Sequence, residues 1–311
     1  MTGRDPAAFL ERFRIPLIAA PMTGVSGLDL TLAAARSGIG AAFPVHNARD
    51  TTDLHRWLDA LGGLPGPALP NLVVHRTNDR LADDVATVVD HGVAAVITSV
   101  GSPAEVVGPF HDAGILVLSD VASMRHVEHA TTLGVDGLVL LAAGAGGQTG
   151  WANPLAFVRA VRSQWGGILV LAGGVVDGAS MLAALVAGYD LVYMGTPFIA
   201  TTESAAAPEY KQAVVAASMD DIEVTDLVTG LPSSMIRPHG PAFVAGREGP
   251  YDSRVVNAPT SIAAKPRFSA GHSVAAVSKV SDVASLVDRL EQELVDAEVS
   301  CQQRTPWPTR P

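Results

Sequence analysis

Cysteine is almost absent from this 311-residue chain, and the single Cys301 excludes an intramolecular disulfide and any cysteine-rich metal centre. Its place near the carboxyl end also argues against a catalytic thiol. Positive charge is scarce as well. Lys and Arg total 21 against 31 Asp and Glu, a formal charge of −10, with no basic run. That excludes the electrostatic footprint of a nucleic-acid or anionic-membrane binder, so neither is expected as a partner. No apolar run reaches the roughly 20 residues that cross a bilayer. The first residues, with Arg4, Asp5, Glu11 and Arg12, lack the apolar block of a signal peptide, and a cytoplasmic location is expected. His75, His91, His111, His126 and His129 show no metal-ligand spacing, and no metal is predicted.

What is plentiful is apolar residues, 48% against 17% charged, which predicts a large buried core and is compatible with a homodimer. Short apolar runs at 17–20, 39–42, 71–74, 95–98, 116–118, 138–141, 169–172 and 191–194 read as strands. Amphipathic stretches such as 28–37, 81–91, 124–133, 155–164 and 180–187 read as helices between them. Strands that are apolar throughout suit a parallel sheet covered on both faces. Eight of them, with helices between, predict an α/β (β/α)8 TIM barrel over 1–204. A doubly wound dinucleotide fold fits less well, because the first strand leads into Ala20-Pro21-Met22-Thr23-Gly24 rather than a Gly-x-Gly-x-x-Gly turn. From 205 to 269 the alternation stops and prolines multiply, with one helical piece near 209–219 and one β-like run at 222–228. This segment is expected to be an insertion or lid over the barrel mouth. Residues 270–311 return to the barrel through a closing helix at 280–295, followed by a tail.

Glycines mark where a ligand can meet bare backbone. Ala143-Gly144-Ala145-Gly146-Gly147-Gln148-Thr149-Gly150 follows the sixth strand and precedes a helix opening at Asn153-Pro154. Ala172-Gly173-Gly174-Val175 and Met194-Gly195-Thr196 follow the next two strands. Taken singly these glycines read as tight turns. Together, after strands seven and eight of a barrel, they read as a phosphate site.

With those pieces in order, the chain resembles the nitronate monooxygenase family (formerly 2-nitropropane dioxygenases), whose barrel is shared with the FMN-dependent enoyl-thioester reductases. The resemblance also rests on Ile15-Pro16-Leu17-Ile18-Ala19-Ala20-Pro21-Met22, Pro70-Asn71-Leu72, Thr98-Ser99-Val100-Gly101-Ser102-Pro103, Glu203-Ser204 and Ala270-Gly271-His272-Ser273. It implies an FMN-dependent oxidoreductase that oxidises a nitronate or similar carbanionic small molecule, with O2 as reoxidant. An NAD(P)H-dependent reductase of an enoyl thioester or a quinone is the alternative, and a flavin-binding protein without turnover is the third reading. The resemblance places Ala20, Pro21 and Met22 beside the flavin ring and gives Asn71 a hydrogen bond to it. Ser99, Gly146 and Gly147 complete the cofactor set, with the phosphate on Gly173, Gly174, Gly195 and Thr196.

The chain departs from the family where most members have histidine in the glycine loop; here that position is Gln148. A glutamine cannot titrate, although its amide can donate to a carbonyl or nitro oxygen. His46, after strand two, and His272, where the family more often has glutamine, are the catalytic candidates that could restore an imidazole, alongside Gln148. Asp120, Tyr193, Trp151 and His239 stay open: Asp120 as a group at the mouth or a helix N-cap, the aromatics as cofactor neighbours or packing, His239 as a substrate contact or an insertion-loop residue.

Overall fold

The computed structural model describes residues 4–226, 230–237 and 267–303. Eight parallel strands close into a barrel: β1 (Leu17–Ala19), β2 (Gly40–Pro44), β3 (Ala68–Val73), β4 (Ala95–Ser99), β5 (Leu116–Val121), β6 (Gly137–Leu141), β8 (Ile168–Ala172) and β9 (Leu191–Met194). β9 closes the ring by pairing with β1, Ile18 opposite Tyr193. A two-residue strand, β7 (Gly147–Gln148), stands outside the ring. It pairs with β11 (Ser233–Ile236), which pairs antiparallel with β10 (Ile222–Thr225). The (β/α)8 barrel read from the apolar runs is therefore the observed fold. Helices Thr51–Leu61 and Ala104–Asp112 add to the predicted set, the second carrying Pro109 inside it.

The strands are apolar throughout because both of their faces are covered. Leu17, Val96, Val117, Leu138 and Leu169 face the surrounding helices. Their neighbours Ile18, Ile97, Leu118, Val139 and Val170 fill the lumen, as the two-residue period of a strand requires. The lumen is therefore a solid apolar plug. Counting two residues further along each of the eight strands gives the side chains lying on top of that plug: Ala20, Pro44, Asn71, Ser99, Asp120, Leu141, Ala172 and Tyr193. This layer is the floor of whatever sits in the mouth.

The helix starts follow local chemistry. Asn153 caps Pro154–Arg162 through Leu155 and Ala156 N–H, with Pro154 in the first turn. Asp177 and Ser180 form a capping box on Gly178–Ala187. The closing helix, Val283–Gln303, buries Val283, Leu286, Val287, Leu290 and Leu294, the spacing of one helical face. Glu203 accepts a hydrogen bond from Val283 N–H at 3.1 Å, so the Glu203-Ser204 motif anchors that helix.

The described parts of 205–269 are more ordered than their prolines suggest. They contribute the helix Pro208–Ala216, the β10–β11 hairpin and the strip 267–269, which pack with Val25, Ile199, Ala270 and Val274 as a small second core. His239 and the tail 304–311 lie outside the described residues.

Leu290 is wholly buried where the closing helix meets the barrel. Leu290→Ala is expected to cost about 2–5 kcal/mol by removing buried volume that the rigid barrel cannot refill. Urea unfolding of the two proteins checks it through the shift in midpoint.

Candidate active site

Above the floor layer, at the carboxyl ends of the strands, lies a cavity of about 300 Å3. That is within the range of small-molecule sites. Ala20, Pro21, Met22, Asn71, Ser99, Gly146, Gly147, Gln148, Gly173, Gly174, Gly195 and Thr196 all line it, so the predicted cofactor residues converge on one space. His46 lines it too. His272 does not: its ring packs behind the glycine loop, where a Cβ on Gly144 would come within 2.9 Å of its Nδ1. Of the two candidate imidazoles, the cavity lining therefore includes His46 and not His272.

The glycine wall is held by backbone contacts, and no room is left for side chains at Gly144, Gly146 and Gly173. His272 N–H donates to Gly144 C=O at 3.0 Å, and Gly271 N–H donates to the Thr196 hydroxyl at 2.9 Å. A Cβ on Gly146 would lie 2.7 Å from Gly271 N, and one on Gly173 (φ +125°) would lie 2.8 Å from Ala145 N. Those glycines are needed because main chain meets main chain there. The Thr196 hydroxyl, accepting from Gly271, keeps its own proton for a ligand.

The first turn is held differently. Asn47 Nδ2 donates to the carbonyls of Met22 and Ser26, its Oδ1 accepts from Gly24 N–H, and the Ser26 hydroxyl accepts from Met22 N–H. Asn47 and Ser26 fix the Pro21-Met22 turn; Ser26 does so within its own loop, donating to Ala20 C=O, whereas nothing in the local sequence marks Asn47, because its partners come from another loop. On the floor, Ser99 Oγ donates to Asn71 Oδ1 at 3.2 Å. That commits the carbonyl end of the Asn71 amide and leaves Nδ2 buried with no partner among the described residues. Val100 beside it adopts φ 53°, a left-handed conformation that a β-branched residue rarely takes; such strain costs roughly 1–3 kcal/mol and gathers at functional sites.

Two more unpartnered polar atoms face the cavity, Asp120 Oδ1 and Tyr193 OH. Asp120 lies within β5, and Ser123 caps the following helix, so the N-cap alternative for Asp120 is overturned. The strand period could have found it, since Asp120 follows Leu116 and Leu118 on the lumen face. Trp151, 83% exposed, is absent from the cavity wall. Burial pushes the Asp120 carboxyl up to about 7, and burial together with the Asp120 charge raises Tyr193 well above the usual phenol range.

His46 bonds Thr23 Oγ1 at 3.0 Å. Burial, reinforced by the positive charge of Arg80, lowers its imidazole from 6.5 to about 4, so it is neutral at pH 7 and carries a lone pair or N–H rather than a charge. No lysine or arginine lines the cavity among the described residues.

Gln148 owes its place to the insertion. β7 pairs with β11, Gln148 opposite Ser233, and Thr149 N–H donates to Pro232 C=O at 3.1 Å. Tyr210, Ser233, Met235 and Ser269 add the outer wall, with Tyr210 stacked on Phe268 at 4.5 Å between centroids.

The depressed His46 pKa has a definite sign. The unfolded chain binds its proton at about 6.5 and the folded one at about 4, so folding stability falls as pH drops through that window. A His46→Gln variant is expected to lack that loss, worth on the order of 2–3 kcal/mol by pH 4. Urea unfolding between pH 4 and 7.5 measures the difference, and the His46 ring proton resonances in wild type should titrate near pH 4.

Comparison with known proteins gives this site a family. The sequence model described as "Nitronate monooxygenase" matches residues 65–239. A nitronate monooxygenase of Paraburkholderia phytofirmans is 26% identical over 94% of this chain and 96% of its own length. Several other curated relatives are matched over about half of their own length or less. Among solved structures, a nitroalkane oxidase from Streptomyces ansochromogenes superposes with a TM-score of 0.80 at 23% identity, covering 94% of this chain and 99% of that one. FabK from Thermotoga maritima superposes equally well, with a TM-score of 0.80 at 21% identity over 95% and 97%. At such identities the two structures establish the shared barrel. The family model spans more than half of the chain, and its match runs through the glycine loops that build the cavity: this chain is an oxidoreductase that belongs to the nitronate monooxygenase family.

Proposed function

We propose that the chain binds FMN in the barrel mouth and oxidises a nitronate or a similar carbanionic small molecule, with O2 as the final electron acceptor. The observation that carries the reading is the set of unpartnered buried atoms, Asn71 Nδ2, Asp120 Oδ1 and Tyr193 OH, on the floor of a cavity whose opposite wall is bare glycine backbone. Leaving a buried polar group unpaired costs roughly 1–3 kcal/mol, so a floor with three such atoms calls for a ligand rich in polar edges. A flavin ring offers carbonyl and N–H groups on one edge, and its ribityl phosphate suits main-chain N–H donors. Gly173, Gly174, Gly195 and Thr196 would take the phosphate, and Asn71 the ring. With no cationic side chain on the wall among the described residues, phosphate recognition falls to backbone amides and the Thr196 hydroxyl.

Bound there, the flavin supplies the two-electron chemistry and the reaction with oxygen. The chain's own residues bind and orient. Gln148, held by the β7–β11 pairing, aims an amide donor at a nitronate oxygen and polarises it without moving a proton. That suffices for a substrate that arrives already deprotonated. His46 is neutral and hydrogen-bonded to Thr23, and it adds a second polar contact. The described residues of 205–269 would serve as a lid, because Tyr210, Ser233 and Met235 form the outer wall of the cavity and would keep water from the bound substrate.

The purified protein should be yellow and should consume oxygen with propionate 3-nitronate well above a free-FMN control; a rate no higher than that control removes the reading. Gln148→Ala is expected to lower kcat/KM by roughly 10²- to 10³-fold. Anaerobic NADPH should leave the flavin spectrum unchanged. Rapid bleaching would instead establish a nicotinamide-dependent reductase and direct the substrate search to enoyl thioesters and quinones.

A further inference from the structure

One cavity group has no task in the reading above. Asp120 sits on β5 in the same lumen-facing layer as Asn71 and Ser99, with Oδ1 unpartnered among the described residues. Its surroundings offer no opposite charge. On the β4 side, the lumen-facing hydroxyl of Ser99 is spent on Asn71 Oδ1 at 3.2 Å. On the β6 side, its register partner Val139 and the floor residue Leu141 are apolar. From β9 it faces Tyr193, a phenol that stays protonated and whose own OH is unpartnered. His46 and Tyr210 are the remaining titratable groups on the wall among the described residues; His46 is neutral, and burial keeps the Tyr210 phenol protonated.

Barrel order supplies the placement. The glycine loops that would hold a phosphate follow β8 and β9; β3 and β4 lie opposite them in the ring, and β5 stands beside β4, two strands from β8. A ligand anchored at Gly173 and Gly195 and laid over the mouth toward Asn71 and Ser99 passes beside Asp120, which lines the same cavity. Resting on the FMN reading, we infer that Asp120 contacts the polar edge of the flavin ring and that its protonation state sets how readily the ring accepts electrons.

The physical argument is electrostatic. Electrons added to the ring increase the negative charge on its polar edge. A neutral carboxyl donates a hydrogen bond to that edge, while an ionised one repels it, in a site where low dielectric strengthens both effects. No cation on the wall offsets either. Burial holds the carboxyl near 7, so both forms are within reach of ordinary working pH. By linkage, the reduced ring and a protonated Asp120 favour each other.

The test is a spectroelectrochemical titration of the FMN-loaded protein from pH 5.5 to 8.5, in wild type, Asp120→Asn and Tyr193→Phe. Wild type and Asp120→Asn should share a midpoint potential at pH 5.5. By pH 8.5 wild type should have fallen below the variant, because its carboxylate is charged there and the amide is not. Tyr193→Phe should keep the wild-type pH dependence, displaced along the pH axis. Parallel curves for wild type and Asp120→Asn overturn the inference. Should the variant fail to fold by circular dichroism, wild type alone decides: a potential falling more steeply with pH than that of free FMN supports the role, and an equal slope overturns it. A protein that takes up no FMN sinks the flavin reading itself, whereas a yellow protein with parallel curves sinks only the role of Asp120.

Discussion

The site depends on three stretches of main chain packed against one another with nothing between them. The loop carrying Gly144 and Gly146, the turn at Gly173, and the strip Ala270-Gly271-His272 come so close that a Cβ on any of these glycines would collide with a neighbouring backbone or ring. Hydrogen bonds from His272 N–H to Gly144 C=O and from Gly271 N–H to Thr196 Oγ1 tie the strip to the glycine loop and to the segment after β9. The last contacts span more than 70 residues, so the chain must leave the barrel after β9, cross the insertion and return before the mouth has its final shape. Ala270-Gly271 is accordingly part of the scaffold of the mouth, and the His272 ring lies against Gly144.

Beneath that junction the barrel is layered by chemistry. An apolar plug of Ile18, Leu69, Ile97, Leu118, Val139 and Val170 supports a floor that contains Asn71, Ser99 and Asp120. Polar groups placed on a dry plug lose their water without gaining protein partners, which is tolerable when a ligand supplies them. The same dryness shapes the titratable groups: it raises Asp120 to about 7 and lowers His46 to about 4, so the imidazole is neutral at pH 7 and Asp120 is the one group on the described wall that changes charge near that pH.

Because β11 pairs with Gly147–Gln148, the backbone that carries Gln148 is an edge strand of a small sheet shared with β10 and β11. The position of those strands and the placement of Gln148 are therefore coupled.

Much of this was legible in the sequence. The apolar runs fixed the eight strands because a strand covered on both faces has to be apolar on both. The glycine clusters located the cavity wall, since only glycine permits that backbone approach. Other features depended on contacts between distant segments. Asn47 supports the first turn across loops, and Ser233 pairs with Gln148 from some 85 residues away. The rank of Asp120 over Trp151 followed from strand phase and burial, which only the closed ring makes certain. His46 and His272 look alike in sequence, a histidine beside a mouth-forming turn. Folding decided between them by turning one ring into the cavity and packing the other behind Gly144, because side-chain direction depends on the neighbours that tertiary structure brings.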